Sequence, residues 1–309
     1  MMRLLAWMGR RATTLLAGGV FIGLVLPDLA ALARPLLIPA VLGLLVAALL
    51  RLDAGAIAAL ARKPLQILPA SAFILLVSPV LGYLGAEAIG LDGGARTALV
   101  VWSASPPLVS VTAIAFLVGL DGALTLGVMT LCGLLMPLTL PSIVLGLIGL
   151  ELHISALDLS LRLAAFLALA GGLAWTIRKA AGVGRLERHS AAIDGGVVVI
   201  MLIFAVSVMD GVTAAAIKDP SRVALLVGVA FAASVTLQAV SALLFLSLGR
   251  RAAGSVALTA GNRNMAIVLG AAPAAFEPEV FLYLALLQFP IYLLPALLKP
   301  IYRRMSAST

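Results

Sequence analysis

Ten apolar segments, each long enough to cross a bilayer as a helix, follow one another along the chain at 12–30, 35–51, 65–88, 95–117, 122–148, 157–178, 191–209, 221–247, 251–275 and 279–302. About 20 apolar residues span the hydrocarbon core of a membrane. The short connections leave no room for a soluble catalytic domain among 309 residues. In lipid every backbone donor needs a partner within the protein, which segments of this length meet as helices. The expected class is an all-α membrane protein, and the composition agrees: 63% hydrophobic, 11% charged, mean hydropathy +1.18. A pI near 10.4 would suggest nucleic acid in a soluble chain. Here the basic residues flank the apolar segments, so the expected surroundings are a lipid bilayer, with no nucleic-acid partner.

Charge sets the expected orientation. With the N-terminus in the cytoplasm, alternating spans place 15 of the 21 Lys and Arg residues inside and five outside, leaving Arg263 alone at membrane depth. An even number of spans with both termini cytoplasmic satisfies the positive-inside rule. The opening "MMRLLAWMGRR" lacks a cleavage site and reads as the lead into the first span. Ten spans divide into two five-helix repeats, 1–150 and 151–309. Two five-helix units in one chain must be inverted relative to each other, an arrangement common among secondary transporters.

Two polar interruptions fall at corresponding places, "SASPPLVSVT" (Ser103 to Thr112) in span four and "TAGNRNM" (Thr259 to Met265) in span nine. Pro106 and Pro107 lack N–H groups and push the preceding residue out of helical geometry. The helix is expected to stop at Ser105 and restart with the prolines in its first turn, leaving the N–H groups of Leu108, Val109 and Ser110 free. A half-helix N-terminus of this kind is an anion site; a proline kink patched by the hydroxyls of Ser103, Ser105 and Ser110 is the plain alternative. In the second interruption, Gly261 to Asn264, an arginine at helix centre costs at least about 2.5 kcal/mol. Arg263 is too deep to reach water and does not lose its proton. Either a bound anion meets its charge, or the carbonyls of broken half-helices, Asp210 or Asp121 do so.

The remaining polar residues suggest structure. Gln238, Gln288, Ser71, Ser78, Ser234 and Ser241 suit hydrogen bonds between helices, and Asp121 with Gly122 suits a tight turn. The connector Arg178 to Ser190 reads as a basic strip against anionic headgroups. Cys132 stands alone, so no disulfide is expected. His153 and His189 fall near span ends on opposite sides, against a haem or catalytic metal centre. No acid pair, Ser/His dyad or histidine pair sits at membrane depth, so no enzyme is expected.

Over essentially its whole length the chain resembles the bile acid:sodium symporter family, in its bacterial form. "SPPLVSVTAIAFLVGLDGALTLGVMT" stands where that family has Cys-Pro-Gly-Gly and a hydroxyl-rich half-helix, and "TAGNRNMAIVLGA" where it has Glu-x-Gly-x-Gln-Asn. The resemblance implies a panel of spans one, two, six and seven and a core of spans three, four, five, eight, nine and ten. In that core the broken spans four and nine cross and bind substrate. It implies alternating access in a bacterial inner membrane and admits a homodimer. Substrate contacts would come from Ser105, Val109, Ser110, Thr112, Asn262, Arg263 and Asn264, with Pro106, Pro107 and Gly261 breaking the helices.

Departures from the family bear on coupling. Thr259 replaces the glutamate that coordinates both sodium ions, and Arg263 replaces a glutamine supporting the second. Thr125, Met129 and Thr130 stand at the other sodium positions. A fixed cation where the family binds a mobile one points to a small organic anion carried with weak or absent sodium coupling, and no resident cofactor. The rival expectations are an arsenite or auxin-type efflux carrier of the same superfamily, disfavoured by Ser105 where arsenite carriers use a cysteine, and a membrane sensor that binds without transporting.

Overall fold

The computed structural model describes residues 12–50, 63–149 and 154–307. The basic residues Arg3, Arg10, Arg11, Arg51 and Arg62, and His153, lie outside the described residues. Described regular structure is helical: α1 (Ala12–Val25), α2 (Pro27–Leu50), α3 (Pro64–Ala88), α4 (Gly93–Ala104), α5 (Ser110–Leu117), α6 (Gly122–Ile148), α7 (Ala156–Ala181), α8 (Val183–Arg188), α9 (Ser190–Ser207), α10 (Val212–Lys218), α11 (Pro220–Leu244), α12 (Arg250–Gly261), α13 (Met265–Ala271), α14 (Pro278–Leu297) and α15 (Lys299–Ser306). Among the described residues, seven helical stretches are long and apolar enough to cross a membrane: α2, α3, α6, α7, Ile193–Lys218, α11 and α14. The protein is an all-α chain of membrane character.

The first break differs from expectation. The chain leaves helical geometry at Leu26 (φ −117°, ψ 74°), with Pro27 opening α2, rather than at residues 31–34. Proline at the first helical position surrenders an N–H that would have gone unpaired there. Pro35 is absorbed as a short 3₁₀ turn, Arg34–Leu36, inside α2. Arg34, expected in an outer loop, therefore sits within the helix, where its Nη1 lies 3.0 Å from Asp210 Oδ2.

The chain forms two compact units, Met1–Leu52 with Ala164–Ala224, and Asp53–Leu163 with Leu225–Thr309. In the first, α9 packs against α1 and α2. Glycines allow this approach: a Cβ on Gly23 would lie 2.8 Å from Met209 Cβ, and one on Gly19 3.1 Å from Ala205 Cβ. Thr213 Oγ1 donates to Leu24 O at 2.7 Å, closing the end of α1. In the second unit, α4 packs on α3 and α14, and α12 on α6 and α15. Every residue of α12 from Ala252 to Gly261 is buried. Its sequence, "AAGSVALTAG", is almost all small side chains, which let neighbouring helices approach on every side.

Candidate functional site

The two interruptions meet inside the second unit. After α4 ends at Ala104, Ser105 turns extended (φ −70°, ψ 153°), the geometry proline imposes on its predecessor. Asn262 likewise leaves α12 extended (φ −124°, ψ 93°). The two extended pieces pair antiparallel at Pro107 and Arg263. Leu108 N donates to Asn262 O at 3.0 Å and Asn264 N to Pro106 O at 2.7 Å. Pro107, which has no N–H, occupies the position of the bridge that makes no hydrogen bond of its own. The prolines thus form the crossing strand instead of the first turn of the restarted helix, which begins at Ser110. Leu108 N–H, expected to be free, is used in the bridge. The N–H groups of Val109 and Ser110 find no partner among the described residues.

Arg263 is 1% exposed and lies among carbonyls. Its Nε donates to Ala260 O at 2.7 Å, Nη1 to Ser105 O at 3.2 Å and Ile74 O at 3.5 Å, and Nη2 to Ser78 Oγ at 2.7 Å. Each carbonyl is available because a helix has been interrupted. Ala260 and Ser105 stand at the C-terminal ends of α12 and α4, where carbonyls lack partners. Ile74 belongs to a π-helical turn, Phe73–Val77, in which Ser78 N–H reaches back to Phe73 O. One residue on, the same register would pair Ile74 O with the N–H of residue 79, which is proline. Pro79 therefore frees the acceptor that Arg263 takes. Asp210 pairs with Arg34 and Asp121 with Lys63; no acidic side chain among the described residues meets Arg263.

A second network holds the break in α12 from behind. Ser234 Oγ donates to Gly261 O at 2.7 Å, Gln238 Nε2 to Ser234 Oγ at 3.1 Å, and the Tyr302 hydroxyl to Gln238 Oε1. Glycine is required at 261: a Cβ there would lie 2.6 Å from Gln238 Cδ, with other atoms of that side chain closer still. Ser78, Ile74, Ser234 and Gln238 belong to the crossing though the sequence assigned them no role there. The signal for the first two was the pair Ser78-Pro79 inside an apolar run.

Other expected site residues divide by what they leave free. Asn262 Nδ2 is spent on Leu258 O at 2.9 Å, and Ser105 Oγ on Val101 O at 2.7 Å. Val109 and Ser110 are exposed, Thr112 and Asn264 half-buried, and the Thr112 hydroxyl has no partner. Thr259 is buried and its hydroxyl turns back to Val256 O at 2.7 Å and Ser255 O at 3.0 Å. Thr125 and Thr130 likewise donate within α6, to Gly122 O and Leu126 O at 2.8 Å each, and Met129 is half-buried on the same helix.

The turn from α5 to α6 is tied down by charge. Asp121 caps α6 by accepting from Leu124 N at 3.0 Å, its own N–H donates to Ser255 Oγ at 2.8 Å, and its carboxylate pairs with Lys63. Burial raises the pKa of this carboxyl. The Lys63 contact, the Leu124 N–H and the more distant Arg251 outweigh burial and hold it below the ordinary aspartate value.

No protein-family model matches the chain, and comparison with curated proteins gives no match.

Proposed function

We propose that the chain is a secondary transporter of a small organic anion, working by alternating access at the crossing of its two interrupted helices and drawing little or nothing from sodium. The observation carrying this reading is the clamp on Arg263: a permanently charged guanidinium held by carbonyls that helix breaks have freed and by the Ser78 hydroxyl. An anion carrier needs a positive centre that stays behind when the cargo leaves, and a tethered cation in a poorly polarisable interior provides one. Two unit charges about 8 Å apart attract by about 2 kcal/mol at an effective dielectric of about 20, so Arg263 can act without touching the cargo. The cargo's oxygens then meet the N–H groups of Val109 and Ser110, the Thr112 hydroxyl and the Asn264 amide, at the N-terminus of α5.

The residues at the family's sodium positions do not fit that ion. Thr259 is buried with its hydroxyl turned into its own helix, Met129 offers a thioether, and Arg263 already occupies the carbonyls. Ten crossings as two inverted repeats remain our reading. The interrupted pairs α4–α5 and α12–α13 each count as one crossing, and α1 as another, beside the seven stretches long and apolar enough to span. The division into two compact units, each drawing on both parts of the chain, supports a panel and a core. An inner-membrane location with both termini cytoplasmic rests on the charge bias of the sequence.

The test is uptake of labelled taurocholate and small monocarboxylates into proteoliposomes at clamped membrane potential. Accumulation equal in sodium and in choline is expected. Uptake that rises steeply with sodium would overturn the coupling, and binding without accumulation would make the chain a sensor.

A further inference from the structure

One end of the second unit carries a cluster of cations that the crossing does not use. Arg250 and Arg251 open α12, and Lys299, Arg303 and Arg304 lie on α15; all five are exposed. Packing fixes how α15 is turned. Tyr302 is 3% exposed, its hydroxyl bonded to Gln238. Met305 packs on α12, where a Cβ on Gly254 would lie 3.5 Å from Met305 Cβ, and Ser306 closes on Gly119. With those side chains committed inward, the exposed basic ones lie on the outer side of α15, which packs against α12 and reaches Gly254, one turn in from Arg250 and Arg251. Asp121, the carboxylate in the adjoining turn, is already paired with Lys63. From Val280 to Thr309 the sequence contains no acidic residue.

The surroundings narrow the partner. α15 follows directly on α14, one of the stretches apolar enough to span a membrane. Leu293, Leu297 and Ile301 recur at four-residue spacing across that junction and are 50%, 65% and 53% exposed. An apolar strip running into a basic cluster at a span's end matches a phospholipid, with acyl chains along the strip and an anionic headgroup at the cations. A soluble phosphate compound would satisfy the charge but leave the strip uncovered. We propose that Arg250, Arg251, Lys299, Arg303 and Arg304 form a binding site for an anionic phospholipid headgroup. The inference needs only the membrane character of the chain and is independent of what it transports. Through Tyr302, Gln238 and Ser234, α15 is joined by hydrogen bonds to Gly261 at the crossing.

The purified full chain in neutral detergent, incubated with equal phosphatidylglycerol and phosphatidylcholine, should retain the anionic lipid with about a tenfold preference by native mass spectrometry. Its thermal midpoint should rise with phosphatidylglycerol, and the rise should shrink in high salt. The combined Arg250→Gln, Arg303→Gln and Arg304→Gln variant should lose the preference. Lys218→Gln, at the end of α10 in the other unit, should keep it. Equal retention of the two lipids, an unchanged preference in the triple variant, or an equal midpoint shift from glycerol phosphate alone would overturn the proposal. Should the triple variant fail to fold, lipid competition on the unmodified protein decides between the same outcomes.

Discussion

Arg263 stays charged in the interior because its donors meet acceptors that the surrounding helices have left unused. Removing one acceptor exposes the cost. Ser78→Ala strips the hydroxyl from Nη2 and should lower unfolding free energy by about 1.5–3 kcal/mol, the range for a hydrogen bond to a charged group. Reversible denaturation in detergent measures it, and Ser78→Thr should recover most of the loss. Arg263→Ala removes the charge and leaves carbonyls facing one another. Millimolar guanidinium should then raise the thermal midpoint of that variant while leaving the unmodified protein unaffected; no difference between the two would show that the carbonyls do not form a cation site. The arginine's depth was legible in the sequence because nothing else between Ala252 and Ala275 is charged. Its acceptors were not, since they are mostly backbone carbonyls on distant segments. Only the Ser78-Pro79 pair pointed to two of them, the Ser78 hydroxyl and Ile74 O.

At the scale of elements, the breaks were visible as "SPP" and "GNRN", while their geometry was not. Local rules placed the prolines in a helical first turn, but two consecutive prolines both favour extended backbone and supply acceptors without donors. The opposing strand at Asn262 to Asn264 supplies the donor and the acceptor that such a strand can use. Pro27 and Pro35 posed a similar choice for the first break, and Pro27 prevailed because a 3₁₀ turn accommodates Pro35 inside α2. Close approach at Gly261 predicts a further effect. Gly261→Ala drives a methyl into Gln238, which is hydrogen-bonded at both its nitrogen and its oxygen and cannot swing aside. A loss of about 1–3 kcal/mol is expected. Combining it with Gln238→Ala should cost less than the sum of the two, as a double-mutant cycle would show.

The turn at Asp121 adds a pH dependence. Its folded-state pKa lies below the unfolded value, so the contribution is fully present above the unfolded pKa and is lost as pH falls through the folded one. Thermal midpoints measured downward from pH 6 should drop on the acid side, and Asp121→Asn should flatten that drop while lowering the plateau. A variant with the same acid limb as the unmodified chain would assign the effect to other carboxylates.

For the whole molecule, the sequence halves 1–150 and 151–309 describe the order of the chain, whereas the compact units interleave it, each taking an early and a late segment. Periodicity and hydropathy register helices but carry nothing about which distant helices associate, and the expected panel and core rested on a family resemblance alone. Ten crossings make a definite claim about sides. The ten crossings proposed above would put the α7–α9 connector, the turn at Asp121 and the turn at Gly249 on one face of the membrane and Asp219, between α10 and α11, on the other. Cys132 is fully buried, so Cys132→Ser gives a silent background at little cost to packing. On it, Asp219→Cys and Leu186→Cys should react with a membrane-impermeant maleimide from opposite sides of right-side-out vesicles. Reagent reaching both from one side would require an even number of crossings between them. Residues 193–218 form one apolar stretch of 26 residues, and about 20 apolar helical residues suffice to span the roughly 30 Å core once. An even count in that interval would therefore mean that the stretch turns back at residues 208–211, where α9 ends and Gly211 adopts a positive φ of 79°.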